Sequence, residues 1–355
     1  MRVFLVAGEA SGDKLGAALM AGLKQLAGEV EFLGVGGPLM QQEGLDSLFP
    51  MDELSVMGIA EILPKYRHLM RRINQTAQAV IDAKPDVLIT IDSPDFSLRV
   101  ARRVKAASDI RTVHYVAPTV WAWRPGRAAK MAKMIDQVLA LFPFEPPYME
   151  AAGMECAFVG HPVVAETVAA PDEAADFRAQ HGLGDAPVLL VLPGSRRGEV
   201  SRLTPVFGAA LRRIVAQNPD IRPVIPTTGN VTDLVREQVA DWPVQPLVLD
   251  PRGMTPDDYK RQKAAAFAAA DASLAASGTV SLELAASDTP MVIAYDMSRI
   301  SRIIIGRMLK VDTVTLVNLV SDTRAVPEFI GADCRAELIA PAVRQVMDAP
   351  DAQCN

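Results

Sequence analysis

Two segments in the second half of the chain predict a buried strand, a glycine turn and the start of a helix. In the first, the apolar run Val188–Val191 leads into L-P-G-S-R-R-G-E-V at Leu192–Val200. The second reads A-S-G-T-V-S-L-E at Ala276–Glu283. A strand that ends at glycine and continues as a helix is the repeating unit of a parallel α/β sheet. These segments therefore restrict the chain to folds in which helices connect parallel strands.

The same alternation of apolar runs and helical periodicity extends over the whole chain. An Ala- and acid-rich passage at Val163–Asp176 interrupts it, and the pattern then restarts. We expect an α/β fold of two Rossmann-like, doubly wound parallel-sheet domains, residues 1–165 and 166–355, that face each other across a cleft. The predicted strands are Arg2–Ala7, Glu31–Val35, Asp86–Ile91, Ile110–Tyr115, Gln137–Phe142, Val188–Leu192, Pro223–Ile225, Leu247–Leu249, Ala272–Ala275 and Met291–Tyr295.

Composition narrows the class of protein. With 355 residues, 50% of them hydrophobic, the chain can build two cores. The three cysteines, Cys156, Cys334 and Cys354, are odd in number and lack C-x-x-C spacing, which argues against a disulfide framework or a zinc site. A net charge of −6 makes nucleic acid an improbable partner. Without a secretory leader or a long apolar run, we expect a cytoplasmic protein with at most peripheral membrane contact.

Residues at the two glycine turns have the chemistry of a nucleoside-diphosphate site. Glycine allows a phosphate to approach the backbone, hydroxyls can donate to it, and arginine offers a forked, permanently charged donor. A carboxylate one helical turn further on could accept bonds from ribose hydroxyls. The alternative is that the glycines simply turn the chain and the arginine is a solvated surface charge, but the repetition favours a binding site. The candidates are Gly194, Ser195, Arg196, Ser277, Gly278, Thr279 and Glu283.

Other nucleotide motifs are absent from the sequence. No segment spells G-x-x-x-x-G-K-[ST], and the glycines of Gly34–Gly37 do not continue into G-x-G-x-x-G. The chain also has no D-x-D pair of the kind that holds a divalent ion on a sugar nucleotide. We therefore expect neither a metal nor a cofactor, with protein groups meeting the charge of a leaving diphosphate.

Acidic residues follow two predicted strands of the first half. The segments are G-E-A-S-G-D at Gly8–Asp13 and I-D-S-P-D-F at Ile91–Phe96. Because catalytic groups project from the carboxyl ends of parallel strands, Asp92 is the favoured general base. Asp95 is a second candidate, although it could equally serve the start of a helix. His114 is either a weaker base or a hydrogen-bonded core histidine. The acids expected to converge are Glu9, Asp13, Asp92 and Asp95.

Taken in order, the motifs resemble those of the lipid-A-disaccharide synthases, inverting glycosyltransferases with the B-type fold of two Rossmann domains. The resemblance extends from Val6 to about Asn318. The matching stretches are Gly8–Asp13, Val56–Glu61 (V-M-G-I-A-E), Ile91–Phe96, His114–Arg124 (H-Y-V-A-P-T-V-W-A-W-R), Gly160–Pro162 (G-H-P), Leu192–Val200, Ala276–Thr279 (A-S-G-T) and Asn318–Leu319 (N-L).

This resemblance implies a reaction and roles for particular residues. The family transfers 2,3-diacylglucosamine from UDP to the 6-hydroxyl of 2,3-diacylglucosamine 1-phosphate, which gives a β-1,6-linked disaccharide phosphate and UDP. Nucleotide contacts are implied for Arg196, Glu283 and Asn318, and the general base for Asp92. Arg196 would also stabilise charge on the leaving UDP. Relatives continue past the helix at Ala336–Met347, so the resemblance implies a truncated C-terminus.

Acylated substrates need an apolar surface, and Met57–Ile81 offers one. Apolar residues alternate there with basic ones, a composition that suits an anionic lipid surface. The resemblance thus implies peripheral binding to the cytoplasmic face of the inner membrane, and a homodimer is compatible with it. An ordinary helix with a core stripe and a basic solvated face remains the alternative. Trp121, Trp123 and Arg124 invite a similar hypothesis of acceptor contact, with core packing as the alternative.

Two other function classes remain open. A UDP-N-acetylglucosamine 2-epimerase shares the twin-domain architecture, but it would convert its substrate to an isomer and consume no acceptor. A non-catalytic UDP-sugar binder would tolerate the loss of Asp92. The combination of A-S-G-T with I-D-S-P-D-F favours transfer.

Overall fold

The computed structural model describes residues 1–54, 59–121, 126–297 and 311–349, without the side chains of residues 59–65. It divides the chain into two compact units, Met1–Pro162 and Val163–Asn355, close to the boundary expected near residue 165. Each unit has its own sheet.

The first unit contains a seven-stranded parallel sheet in the order β3-β2-β1-β4-β5-β6-β7. Its strands are β1 Arg2–Ala7, β2 Glu31–Val35, β3 Asp46–Ser47, β4 Val87–Ile91, β5 Arg111–Tyr115, β6 Gln137–Ala140 and β7 Glu155–Phe158. Its described helices are α1 Ala10–Ala27, α2 Pro38–Gln42, α3 Ile59–Ala83, α4 Pro94–Ala107, α5 Gly126–Met131 and α6 Pro146–Glu150.

Helices cover both faces of this sheet, which explains the uninterrupted apolar runs. Along the central strand β1, Phe4 and Val6 pack into a core with residues of α3 and α4. The intervening Val3, Leu5 and Ala7 pack into a second core with residues of α1. A parallel strand buried on both faces has no solvated side and therefore needs no polar alternation. The doubly wound arrangement expected for the first half is confirmed.

The second unit repeats this architecture with a six-stranded parallel sheet in the order β10-β9-β8-β11-β12-β13. Its strands are β8 Val188–Leu192, β9 Arg222–Pro226, β10 Leu247–Leu249, β11 Ala272–Ala275, β12 Met291–Tyr295 and β13 Glu328–Ile330. Its described helices are α7 Pro171–Gln180, α8 Arg197–Val215, α9 Thr232–Val239, α10 Pro256–Ala268, α11 Val280–Ala286, α12 Leu316–Ser321 and α13 Ala336–Asp348. Alternate residues of β8 again enter two separate cores.

Each sheet has a point where successive connections leave in opposite directions. In the first unit it lies between β1 and β4, whose ends are level because Ala7 pairs with Ile91. In the second unit it lies between β8 and β11, where Leu192 pairs with Ala275. The carboxyl ends of strands at such a switch point form the usual ligand crevice of open α/β sheets. Both sets of candidate residues follow these four strand ends.

All ten predicted strands are present, and three short ones were missed. These are β3, β7 and β13, of two to four residues, at the edges of the sheets. Their side chains are mostly half-exposed, so no continuous apolar run marks them in the sequence. Within the described ranges, none of the helices combines the length and the apolar character needed to cross a membrane.

Candidate functional site

A cavity of about 500 Å³ opens at the switch point of the second sheet. Its walls include the turn after β8, the turn after β11 and the side of α10. A volume of this size lies within the range of small-molecule sites. The seven predicted turn residues all line it, namely Gly194, Ser195, Arg196, Ser277, Gly278, Thr279 and Glu283.

The two turn glycines differ in what the structure demands of them. Gly194 has a φ of 108°, and an added Cβ would lie 2.5 Å from Oε2 of Glu199. Its turn therefore excludes any side chain even without a ligand. Gly278 has no such constraint, because its φ is ordinary and nothing lies within 4 Å of an added Cβ. The absence of a side chain at Gly278 leaves open space in the cavity itself.

Arg196 stands at the rim of the cavity, immediately before α8. Its Nη1 lies 3.1 Å from Oε1 of Glu199, and its backbone N–H donates to Oε2 of the same carboxylate at 3.4 Å. The arginine side chain is 67% exposed, so this ion pair is weak and leaves the guanidinium accessible. Glu199, which is mostly buried, was not among the sequence candidates.

Glu283 is paired with a lysine that sequence reasoning missed. Nζ of Lys263 lies 2.5 Å from Oε2 of Glu283, and both residues line the cavity. The ammonium also lies 5.1 Å from the ring centroid of Phe267, a cation–π distance. Lys263 and Phe267 are one turn apart on α10, and Tyr259 precedes them by another turn on the same side. The four-residue spacing of Tyr259, Lys263 and Phe267 places them on one side of α10, and it is the sequence signal that could have pointed to Lys263.

Tyr259 helps to shape the same wall. Its hydroxyl donates to the carbonyl oxygen of Thr227 at 2.5 Å. Burial raises the pKa of Tyr259 to about 12, so the phenol stays protonated at neutral pH. The hydroxyl is therefore a fixed donor that ties α10 to the end of β9.

Asn318 lies outside the lining of this cavity. Its side chain is fully buried, and its amide nitrogen donates to the carbonyl oxygen of Val326 at 2.9 Å. Its amide oxygen accepts from the backbone N–H of Val326 at 3.0 Å. These bonds give Asn318 a structural role ahead of β13, and the nucleotide contact implied for it stays a prediction.

The switch point of the first sheet is built on a strained turn. Asp92 and Ser93, directly after β4, have φ values of 49° and 42°. Left-handed backbone at non-glycine residues costs roughly 1–3 kcal/mol each and persists only where the surroundings impose it. Here the N–H of Asp92 donates to the carbonyl oxygen of Tyr115, and its own carbonyl accepts from the Ser97 hydroxyl at 2.8 Å. The turn carries the chain from strand to helix and fixes the backbone of Asp92.

The carboxylate of Asp92 is available for chemistry. It is half-exposed, and it makes no hydrogen bond or ion pair with any residue that the structure describes. Asp95 is exposed in the first turn of α4 and does not cap that helix, whose N-cap residue is Ser93. Glu9 lies beside the same turn, where its Oε1 accepts from the Ser93 hydroxyl at 3.5 Å.

Asp13, unlike Asp92, has a carboxylate that is fully engaged by the protein. Its buried carboxylate accepts backbone N–H bonds from Gly37, Leu39 and Met40 at 2.9, 3.0 and 3.0 Å. Three such bonds occupy the carboxylate and hold the start of α2. The carboxylate of Asp13 is therefore engaged by the start of α2 and serves a structural role there.

His114 is a core residue. It is 2% exposed, and its Nδ1 lies 2.8 Å from the hydroxyl of Thr90. Burial, with a smaller contribution from the charge of Arg127, lowers the pKa of His114 to about 4. The imidazole is therefore neutral at pH 7, and the structure supports the core interpretation over a role as base.

The apolar and basic stretch is described only in part. Met57, Trp123 and Arg124 lie outside the described residues. In the described part of α3, Ile73, Ala77 and Val80 pack into the core of the first unit. Arg72 and His68 contact Glu53 at 2.7 and 2.6 Å, so part of the basic face has an acidic partner. Trp121 is buried and packs edge-on against Phe144, with ring centroids 5.2 Å apart.

Structural comparison defines the class. The UDP-GlcNAc 2-epimerase from Neisseria meningitidis, solved bound to UDP-GlcNAc, matches with a TM-score of 0.67 and 13% sequence identity, over 99% of this chain and 93% of that one. At such identity the likeness is one of fold. The two parallel-sheet α/β units, with a glycine-turn cavity at the second switch point, are those of the B-type glycosyltransferase fold.

Sequence comparison gives the family. The lipid-A-disaccharide synthetase family matches residues 3–353. The lipid-A-disaccharide synthase of Ruegeria pomeroyi is 65% identical over 353 residues, which are 99% of this chain and 88% of the relative. That of Rhodospirillum centenum is 49% identical over 354 residues, covering 99% and 86%. The chain belongs to the lipid-A-disaccharide synthase family and is a glycosyltransferase of lipid A biosynthesis.

Proposed function

We propose that the chain transfers 2,3-diacylglucosamine from its UDP conjugate to the 6-hydroxyl of 2,3-diacylglucosamine 1-phosphate, with inversion at the anomeric carbon. The observation that carries this proposal is the cavity between the turns after β8 and β11, with its open space beside Gly278. Family membership supplies the acylated substrates. The first unit then serves the acceptor and the second the UDP-sugar.

In the second unit, the turns meet the diphosphate of UDP. Backbone N–H groups at Ser195 and Gly278 donate to phosphate oxygens, and Arg196 exchanges part of its contact with Glu199 for the diphosphate. Glu283, held by Lys263, accepts from the ribose hydroxyls. Charge that grows on the leaving UDP is met by these donors, so we propose a reaction that needs no metal.

In the first unit, Asp92 acts as general base. The acceptor 6-hydroxyl attacks the anomeric carbon of the donor, the bond from that carbon to UDP breaks, and the hydroxyl proton passes to the carboxylate of Asp92. The strained turn fixes the backbone of Asp92. Its carboxylate, which has no partner among the residues that the structure describes, can receive the proton. Asp95 is the next candidate. A single displacement of this kind inverts the anomeric centre.

We also propose peripheral association with the cytoplasmic face of the inner membrane, through the apolar and basic residues around the start of α3. The support is the composition of Met57–Ile81 together with the acylated substrates of the family. The described part of α3 contributes its exposed side, because its other side packs into the core.

The experiment is a reconstitution with both acylated substrates and detection of the joined lipid by mass spectrometry. Product formed at the same rate with and without EDTA supports metal-independent transfer. Conversion of the UDP-sugar to its C2 epimer without use of the acceptor would instead establish an epimerase. Binding of the UDP-sugar without formation of the disaccharide or the epimer would establish a non-catalytic binder. Either of these two results would overturn the proposal.

A further inference from the structure

A second, smaller cavity in the first unit is lined by an excess of cations. It measures about 220 Å³ and lies between α4 and α5. Arg99 and Arg102 come from α4, and Arg127 and Lys130 from α5, while Asp95 is the one acidic residue among the described lining residues. Leu98, Met131 and Met134 supply its apolar surface.

These four cations lack partners that would explain their proximity. Within the described ranges, the side chains of Arg102, Arg127 and Lys130 make no hydrogen bond or ion pair, and the guanidinium of Arg99 contacts only the sulfur of Met70, at 3.7 Å. Like charges brought together around one cavity repel each other, and a bound anion relieves that repulsion.

Neighbouring cations on the same helix behave differently. Nε of Arg103 donates to the side-chain oxygen of Asn74 at 2.8 Å, and Lys105 pairs with Asp136 at 2.7 Å. Neither of them lines the cavity. Helix α4 therefore carries two kinds of basic residue. Arg103 and Lys105 have polar side-chain partners, whereas Arg99 and Arg102 line the cavity.

The cavity begins close in the chain to the proposed base, Asp92. Helix α4 begins directly after the Asp92–Ser93 turn, and Pro94 and Asp95 of its first turn line the cavity. The positive end of this 14-residue helix adds to the attraction for an anion. An anionic group held here lies along the helix that directly follows the residue proposed to receive the acceptor's proton.

We propose that this cavity binds a phosphomonoester, the anomeric phosphate of the acceptor sugar. The proposal rests on the proposed function for the identity of the sugar. Three arginines offer the forked donors that match phosphate oxygens, and Lys130 adds a further charge. The cavity thereby positions the acceptor from its phosphate end, so that the hydroxyl at the other end of the sugar is presented to Asp92.

The direct test measures binding without turnover. Glucosamine 1-phosphate, which lacks acyl chains, is titrated calorimetrically into the full chain saturated with UDP, so that the nucleotide site is already occupied. We expect saturable binding that the double variant Arg102→Gln/Arg127→Gln weakens by about tenfold or more, and no binding of glucosamine. Arg103→Gln, on the same helix but outside the cavity, is the matched control and should bind as the parent protein does.

A kinetic arm distinguishes the sources of phosphate. With the acylated acceptor, the double variant should raise the KM for the acceptor by a similar factor and leave that for the UDP-sugar unchanged. Cosedimentation with phosphatidylcholine vesicles, with and without phosphatidylglycerol, tests the alternative that the cavity holds a lipid headgroup. A variant that loses only its preference for phosphatidylglycerol, with an unchanged acceptor KM, overturns the proposal.

Failure of this inference can be separated from failure of the proposed function. If the chain forms no disaccharide but binds glucosamine 1-phosphate in a manner that depends on Arg102 and Arg127, the reaction is wrong and the phosphate site stands. If disaccharide forms and the double variant binds and reacts as the parent does, the reaction stands and the phosphate site is wrong. A parent protein with no saturable binding of glucosamine 1-phosphate also overturns the site.

Discussion

The switch points of the two sheets share one topology and differ in how their turns are made. In the second unit, the turns after β8 and β11 use glycine, and both turns line one cavity together with charged and hydroxyl-bearing residues. In the first unit, the turn after β4 places two non-glycine residues, Asp92 and Ser93, in left-handed backbone. A glycine turn admits a ligand to the backbone, whereas a strained turn holds a particular side chain in place.

This difference explains how one architecture supports two tasks. The second unit can bind a charged group through fixed donors at Gly194, Ser195 and Gly278. The first can offer a carboxylate, Asp92, that is free of protein partners among the described residues. If this contrast is correct, substitutions in the turn after β4 should affect turnover, and substitutions in the turns after β8 and β11 should affect UDP binding.

The largest effect is expected for Asp92→Asn. Loss of the general base should lower kcat by about 10²–10⁴-fold, while UDP affinity stays within about twofold, because the nucleotide site belongs to the other unit. Steady-state kinetics and calorimetry with UDP check both parts. Asp95→Asn, which removes the second candidate carboxylate, is the comparison variant and should retain most of the activity. A larger loss of kcat in Asp95→Asn than in Asp92→Asn would identify Asp95 as the general base.

The two turn glycines offer the sharpest test of the second unit. Gly194→Ala should lower the free energy of unfolding by about 1–3 kcal/mol, because of its φ and the contact with Glu199. Gly278→Ala should leave stability nearly unchanged and weaken UDP binding by about tenfold, since its methyl group enters the open space of the cavity. Denaturant unfolding and UDP titration of both variants separate the effects. Equal UDP affinity for Gly278→Ala and the parent would place the diphosphate elsewhere.

A smaller effect is expected for Lys263→Met. Removing the ammonium releases the carboxylate of Glu283, so UDP binding should weaken by about three- to tenfold, the range for one net hydrogen bond. Lys260→Met, on the same helix but paired with Glu166, is the control and should bind UDP normally. If Lys263→Met binds UDP as tightly as the parent, the Lys263–Glu283 pair is only structural.

The smallest effect is expected for His114→Gln in the first unit. Because burial lowers the pKa of His114 to about 4, its imidazole is neutral and a poor proton acceptor at pH 7. The variant should keep activity within a few-fold of the parent and show the same pH–rate profile, while in the parent the NMR titration of His114 should have its midpoint near pH 4. A loss as large as that of Asp92→Asn would make His114 part of the proton transfer.

The sequence revealed the parts of the molecule that are local in the chain. Gly194 and Gly278 mark their turns because a strand, a glycine and a helix follow one another directly. Lys263 could not be found in this way, since it reaches Glu283 from a helix whose place beside the cavity depends on the fold. The structural role of Asp13 could not be found in this way either, because its partners Gly37 and Met40 lie more than twenty residues further along the chain.

A crystal structure of the chain with UDP tests the central claim most directly. The account predicts that the diphosphate lies between the turns at Ser195 and Gly278, with the ribose against Glu283 and no protein contact from Asp92 to the phosphates. A diphosphate bound against the Asp92–Ser93 turn, or away from both glycine turns, would contradict the assignment of nucleotide binding to the second unit.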